Sequence, residues 1–130
     1  METHESLQVQ AVRQMADDYI SRSQEFFHTT LSRGPAAVEW MAGQIPRVRL
    51  FDDTTKEGIA MAMGSLLGES LIATYGGQWQ LGGREWEVQL ISGTVVQPVE
   101  MVRTQMRGGP SIFAVFGRLG RGHWWQFWRN

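Results

Sequence analysis

The chain has 130 residues, 42% hydrophobic and 19% charged, with a formal net charge of −1; this composition excludes a disordered chain and suits one packed domain spanning residues 1–130. It holds no cysteine, which excludes disulfides, thiolate metal sites and a cysteine nucleophile. Its three histidines, His4, His28 and His123, have no ligand spacing, so neither a metal nor a cofactor is expected.

The first helix is expected from Leu7 to Leu31, with Val12, Met15, Ala16, Tyr19, Ile20, Phe27 and Leu31 along one face. Arg33-Gly34-Pro35 stops it and opens a second helix, Pro35 to Gln44. The inner face of that helix is Val38, Met41, Ala42 and Ile45, and Pro46 is expected to end it. After a linker, Thr54 and Glu57 have the spacing of a capping box. The third helix runs from there to Tyr75 and ends at Gly76-Gly77. Its interior carries Gly58, Gly64 and Gly68, each costing about 1 kcal/mol relative to alanine. Ala60, Gly64 and Gly68 recur every four residues and form a stripe without bulk. The expectation is a central buried helix that crosses the first helix at short range.

The period then changes from helical to alternating. Gln78 to Leu81, Arg84 to Leu90 and Thr94 to Gln97 read as strands, with turns at Gly82-Gly83 and Ser92-Gly93. Trp86, Val88 and Leu90 fall on one face, while Glu85, Glu87 and Gln89 fall on the wet one. A three-stranded antiparallel meander results. Pro98 opens a fourth helix to Arg107, and Pro110 a fifth to Leu119, preferred over the strand that Ile112 to Phe116 would equally allow by propensity. Gly117 to Gly122 reads as a flexible link to an aromatic, basic tail over residues 120–130. In that tail Trp124, Gln126 and Trp128 alternate with Trp125, Phe127 and Arg129, as an added edge strand would. The fold class is therefore α+β: N-terminal helices and a small-residue helix packed on the meander, followed by one or two short helices.

Gly68-Glu69 on a small-residue helix is followed by Tyr75-Gly76 and by Trp79 opening a strand. Val95-Val96-Gln97-Pro98, a helix bearing Arg103 and Arg107, and the Gly108-Gly109 break come next. Over residues 59–119 this order resembles a group of small bacterial domains of unknown function. The resemblance implies an α+β fold and no particular chemistry. The aromatic tail departs from it.

Candidate chemistry is sparse. Glu69, on the helix expected to be buried, is a possible functional carboxylate. It would serve either as a general acid or base with a raised pKa, or as an acceptor that fixes the helix to the sheet. Ser65 and Ser92 lack a nucleophile elbow, and Gly117 to Gly122 lacks the lysine and spacing of a phosphate loop. Residues 1–100 hold all 13 acids and seven bases, whereas residues 101–130 hold five arginines and no acid. The basic end either lies against the acidic body or forms a contact surface. Its arginines and aromatics also fit stacking on nucleic acid, but the acidic body disfavours that partner.

The resulting expectation is a small protein-binding module, most specifically an immunity protein that neutralises a bacterial toxin. A secretion adaptor or chaperone is one alternative, and a small enzyme using Glu69 the other. The expected partner-binding residues are Arg121, Trp124, Trp125, Phe127, Trp128 and Arg129, contacting a protein partner or a second copy of the chain. No apolar run of about 18 residues is present to span a membrane, and METHESLQVQ lacks the pattern of a secretory signal. The expected location is therefore the cytoplasm. Eleven arginines against the single Lys56 point to a GC-rich bacterial genome.

Overall fold

The computed structural model describes the backbone of residues 4–129 and the side chains of residues 7–120. Within them the order is α1 (His4–Phe27), α2 (Pro35–Val48), α3 (Asp53–Tyr75), β1 (Gly77–Gly82), β2 (Glu85–Leu90), β3 (Val95–Val96), α4 (Pro98–Met106) and α5 (Ile112–Arg129). The fold is α+β, as its periodicities predict.

Helix α3 is the axis of the molecule. Every residue from Met63 to Leu71 is buried, and α1, α2, α4 and the sheet all pack against it. Its N-terminus is capped by Asp52, whose carboxylate accepts the Thr55 N–H at 2.8 Å. The capping box expected of Thr54 and Glu57 is thus replaced by an aspartate two residues earlier, and Glu57 turns to Arg103. At the other end Gly76, at φ 79°, returns its N–H to the Ile72 carbonyl.

Two helix ends differ from expectation. Helix α1 stops at Phe27, four residues short of Leu31, because His28 enters the left-handed region at φ 53° and Thr29 N–H bonds back to the Ser23 carbonyl at 3.3 Å. This is a Schellman-type end with histidine where glycine is usual. Phe27 is consequently 57% exposed and does not belong to the inner face. Helix α2 runs through Pro46 to Val48. Proline has no N–H, so the Ala42 carbonyl one turn earlier loses its helical donor. The Gln105 amide of α4 supplies one instead, Nε2 to Ala42 O at 3.0 Å. The same amide accepts the Ile112 N–H at the start of α5 at 2.8 Å.

The sheet is the antiparallel meander β1-β2-β3. Trp79 pairs with Val88 and Leu81 with Trp86, and Val88 pairs with Val96. Trp79, Val88 and Leu90 face the core, which they share with Met41, Ile45, Met63, Leu66, Leu67, Leu71, Val102, Ile112 and Phe116. Gly83, at φ 65°, turns β1 into β2. On the opposite face Gln80 and Glu87 hydrogen-bond directly across the strands at 2.9 Å, so Glu87 is half-buried rather than free in water.

Helix α5 packs on α2 and α4 through Ile112 and Phe116. Tyr75 at the end of α3 donates to the Phe116 carbonyl at 2.8 Å. The helix continues through Gly117, Gly120 and Gly122 to Arg129. The flexible link and edge strand expected there are therefore both replaced by helix. Gly120 has a packing reason, since a Cβ on it would lie 2.7 Å from the Tyr75 hydroxyl.

Candidate functional site

Gly68, Glu69 and Ser70 are consecutive on α3, and each holds a different neighbour. The six-membered part of the Trp79 indole lies against Gly68, where a Cβ would collide with the ring. The indole Nε1 donates to Glu69 Oε2 at 2.9 Å. Glu69 Oε1 accepts from Arg33 Nε at 3.0 Å, and Arg13 stands 3.8 Å from the carboxylate. Ser70 Oγ accepts the Gly34 N–H, at the entry to α2, at 3.1 Å. Glu69 is 7% exposed, and both of its oxygens are engaged. This is the geometry of an acceptor tying α3 to β1 and to the α1–α2 connection.

The small-residue stripe does not meet α1. A Cβ on Gly64 would lie 2.7 Å from the Val99 Cα, so the stripe receives the first turn of α4 and the Trp79 ring. Helix α1 packs on another side of α3, where Ser65 Oγ reaches Met15 Sδ at 3.9 Å.

The C-terminal arginines are not uniformly available. Arg103 is gripped by Glu57 of α3 and Glu85 of β2, with Glu100 at 3.2 Å. Arg107 pairs with Glu100 at 2.7 Å. Two of the five arginines considered for nucleic acid thus serve the acidic body. The bonds to Glu57 and Glu85 raise the Arg103 pKa. In return, Arg103 holds the Glu57 carboxyl below the usual range, and Arg107 with Arg103 does the same for Glu100. Arg118 is exposed. Arg121, Trp124, Trp125, Phe127, Trp128 and Arg129 lie on the second half of α5, and their side chains fall outside the described residues.

A different surface stands out. Helices α1 and α3 part to leave a groove of about 470 Å³, walled by Met15, Tyr19, Phe26 and Phe27 on one side and Gly58, Ile59 and Ala62 on the other. Tyr19 and Phe27 both stand edge-on to Trp40 of α2, with ring centroids 6.2 and 5.7 Å apart. Burial pushes the Tyr19 hydroxyl above the ordinary phenolic range, against the opposing bond to Ser23. Phe26 and Phe27 crown the groove at 66% and 57% exposure. A Cβ on Gly58 would meet nothing within 4 Å, so this wall is open. Asp18 and Arg22 add charge to the lining.

No family model, curated protein or solved structure matches the chain.

The groove is legible only in part from sequence. Adjacent positions on a helix lie about 100° apart, so Phe26 and Phe27 flank the line of Val12, Ala16 and Ser23 on its two sides and widen the apolar face at the end of α1. That pair is the available signal. Gly58 gave another, as a costly helical glycine outside the Ala60-Gly64-Gly68 stripe. Neither reveals that a space lies between α1 and α3.

Proposed function

We propose that the chain is a protein-binding module and that the groove between α1 and α3 is its docking surface. The observation that carries this reading is the pair of exposed rings, Phe26 and Phe27, set over an open apolar trough. Exposed aromatic surface of this kind is favourable once a partner covers it. The lining narrows the partner. The groove's charged lining is balanced, Asp18 against Arg22, which favours a segment held by apolar anchors, seated as a helix in a groove. The most specific form is an immunity protein, an inhibitor that covers a toxin. A secretion adaptor or chaperone would use the same trough.

The enzymatic alternative rests on Glu69. Its oxygens already accept from Trp79 and Arg33, which supports a structural role.

Gly58→Trp tests the reading, because it fills the groove from a position with open space. A partner retained by the wild-type chain should be lost by Gly58→Trp and kept by Gln89→Ala, a change at an exposed position of β2. Equal retention by all three chains would refute the groove.

A further inference from the structure

We propose that β1 is a dimerisation edge: two copies of the chain pair their β1 strands antiparallel about a two-fold axis at Gln80, joining the two meanders into one six-stranded sheet. Strand β1 lies at the border of the sheet, with β2 on one side only. Its open side follows from the register. The Ile91 N–H bonds to the Gly76 carbonyl, one step beyond the Gly77–Leu90 pair, and bonded pairs alternate along an antiparallel ladder. Gln78, Gln80 and Gly82 therefore bond β2 through their backbone, while Gly77, Trp79 and Leu81 turn their N–H and C=O groups outward. Among the described residues, no backbone bond from another element reaches those three. Sheet edges are ordinarily blunted by shortness, proline, a bulge or charge. The opposite edge, β3, is two residues long and Pro98 follows close behind it. Strand β1 has none of these devices: Gly-Gln-Trp-Gln-Leu-Gly is six residues long, uncharged, free of proline and paired with β2 without a bulge. Such an edge accepts an added strand, and its own side chains favour a second copy as the donor. Centred on Gln80, the antiparallel pairing sets Gln80 against its counterpart, Gln78 against Gly82 and Trp79 against Leu81, with residues of the same face opposite one another. No charge meets its like, and Leu81, 53% exposed in the single chain, gains an aromatic neighbour. A one-residue slip would set the Trp79 face against the glutamine face, and a two-fold at Trp79 would leave Leu81 opposite glycine. The contact is isologous and closes at two copies. It is separate from the groove, which no residue of β1 lines.

The test is sedimentation of the full-length chain across a wide concentration range, with single introduced thiols to report the register. The wild type should form a dimer and no larger species. Leu81→Pro removes an outward N–H and none that bonds β2, so it should keep the wild-type circular dichroism while weakening dimerisation at least about tenfold. Leu81→Lys keeps the backbone intact, places a charge on the edge and should do the same. Gly58→Trp, which fills the groove, should dimerise as the wild type does. The chain holds no cysteine, so each new thiol reports alone. Gln80→Cys should close a disulfide between copies on mild oxidation, because the Cα atoms of a non-bonded antiparallel pair lie about 4.5 Å apart. Gln78→Cys, displaced from its counterpart by roughly 13 Å along the strand, should stay reduced. A wild type that stays monomeric, dimers that persist in folded Leu81→Pro and Leu81→Lys chains, a dimer lost in Gly58→Trp, or equal crosslinking by Gln78→Cys and Gln80→Cys overturns the inference. If the wild type is monomeric and its Trp79 and Leu81 amides gain protection from hydrogen exchange when an extended peptide of alternating glutamine and leucine is added, the edge takes a foreign strand, which overturns the second copy as its occupant.

Discussion

The three glycines of α3 have the same helix-propensity cost and different surroundings, so substitution should separate them. A methyl on Gly58 meets open space, and Gly58→Ala should stabilise the fold by about 1 kcal/mol. Gly64→Ala drives a methyl into the Val99 backbone, and Gly68→Ala drives one into an indole held by Glu69. Each should cost about 1–3 kcal/mol through overpacking. Thermal melts read all three, and a Gly64→Ala chain as stable as wild type would contradict the packing described. The spacing of Ala60, Gly64 and Gly68 announces in the sequence that something approaches closely. It does not say what, because the approaching residues, Trp79 and Val99, are distant in the chain. Glu69→Gln replaces one acceptor oxygen with a donor facing Trp79 or Arg33, and leaves Arg33 with less compensation. The expected loss is about 1–3 kcal/mol, reduced by the partial exposure of Arg33. Wild-type stability of Glu69→Gln would remove the structural account and favour a functional carboxylate.

At the scale of elements, helix and strand identity follows from local pattern, while several ends follow from tertiary contacts. Alternation in Trp86-Glu87-Val88-Gln89-Leu90 and the glycines at the hairpin turn make the meander legible. Pro46 also reads plainly as a stop, and α2 passes through it because Gln105, 59 residues later, satisfies the orphaned Ala42 carbonyl. No local rule contains that donor. Likewise, Gly117, Gly120 and Gly122 read as a link, yet the chain there is helical, with Gly120 placed against Tyr75. The Gln105 clamp gives a coupled prediction. Gln105→Ala leaves both Ala42 O and Ile112 N–H without their partner, and should cost about 1–3 kcal/mol. Pro46→Ala restores an N–H within α2, so Gln105→Ala should cost less in that background. A double-mutant cycle on melting or denaturant midpoints measures the difference. Strict additivity would mean that Gln105 does not serve Ala42.

Across the whole molecule, the acidic body and basic C-terminal region seen in the sequence meet in the Arg103 cluster, where α3, β2 and α4 are joined by charge. The Glu57 and Glu100 carboxyls are depressed by Arg103 and Arg107, and Asp52 by the Thr55 N–H. Groups depressed in the folded chain contribute stability in full above their unfolded values, about 3.9 for Asp and 4.3 for Glu. That contribution is lost as pH falls through the lower folded values. The melting temperature should therefore be flat from neutral pH to about pH 5 and fall below it. Arg103→Met should lower the neutral plateau and make the acid limb shallower, and an unchanged limb would mean that the cluster adds nothing.

The groove between α1 and α3 is the feature on which the functional account depends. The most direct test places a photo-crosslinking amino acid at Ala62, inside the groove, in cells that make the protein. Crosslinks to a protein partner should form from Ala62, not from Gln89 on β2, and should disappear when Gly58→Trp is added without loss of folding. Crosslinks of equal yield with and without Gly58→Trp would contradict it.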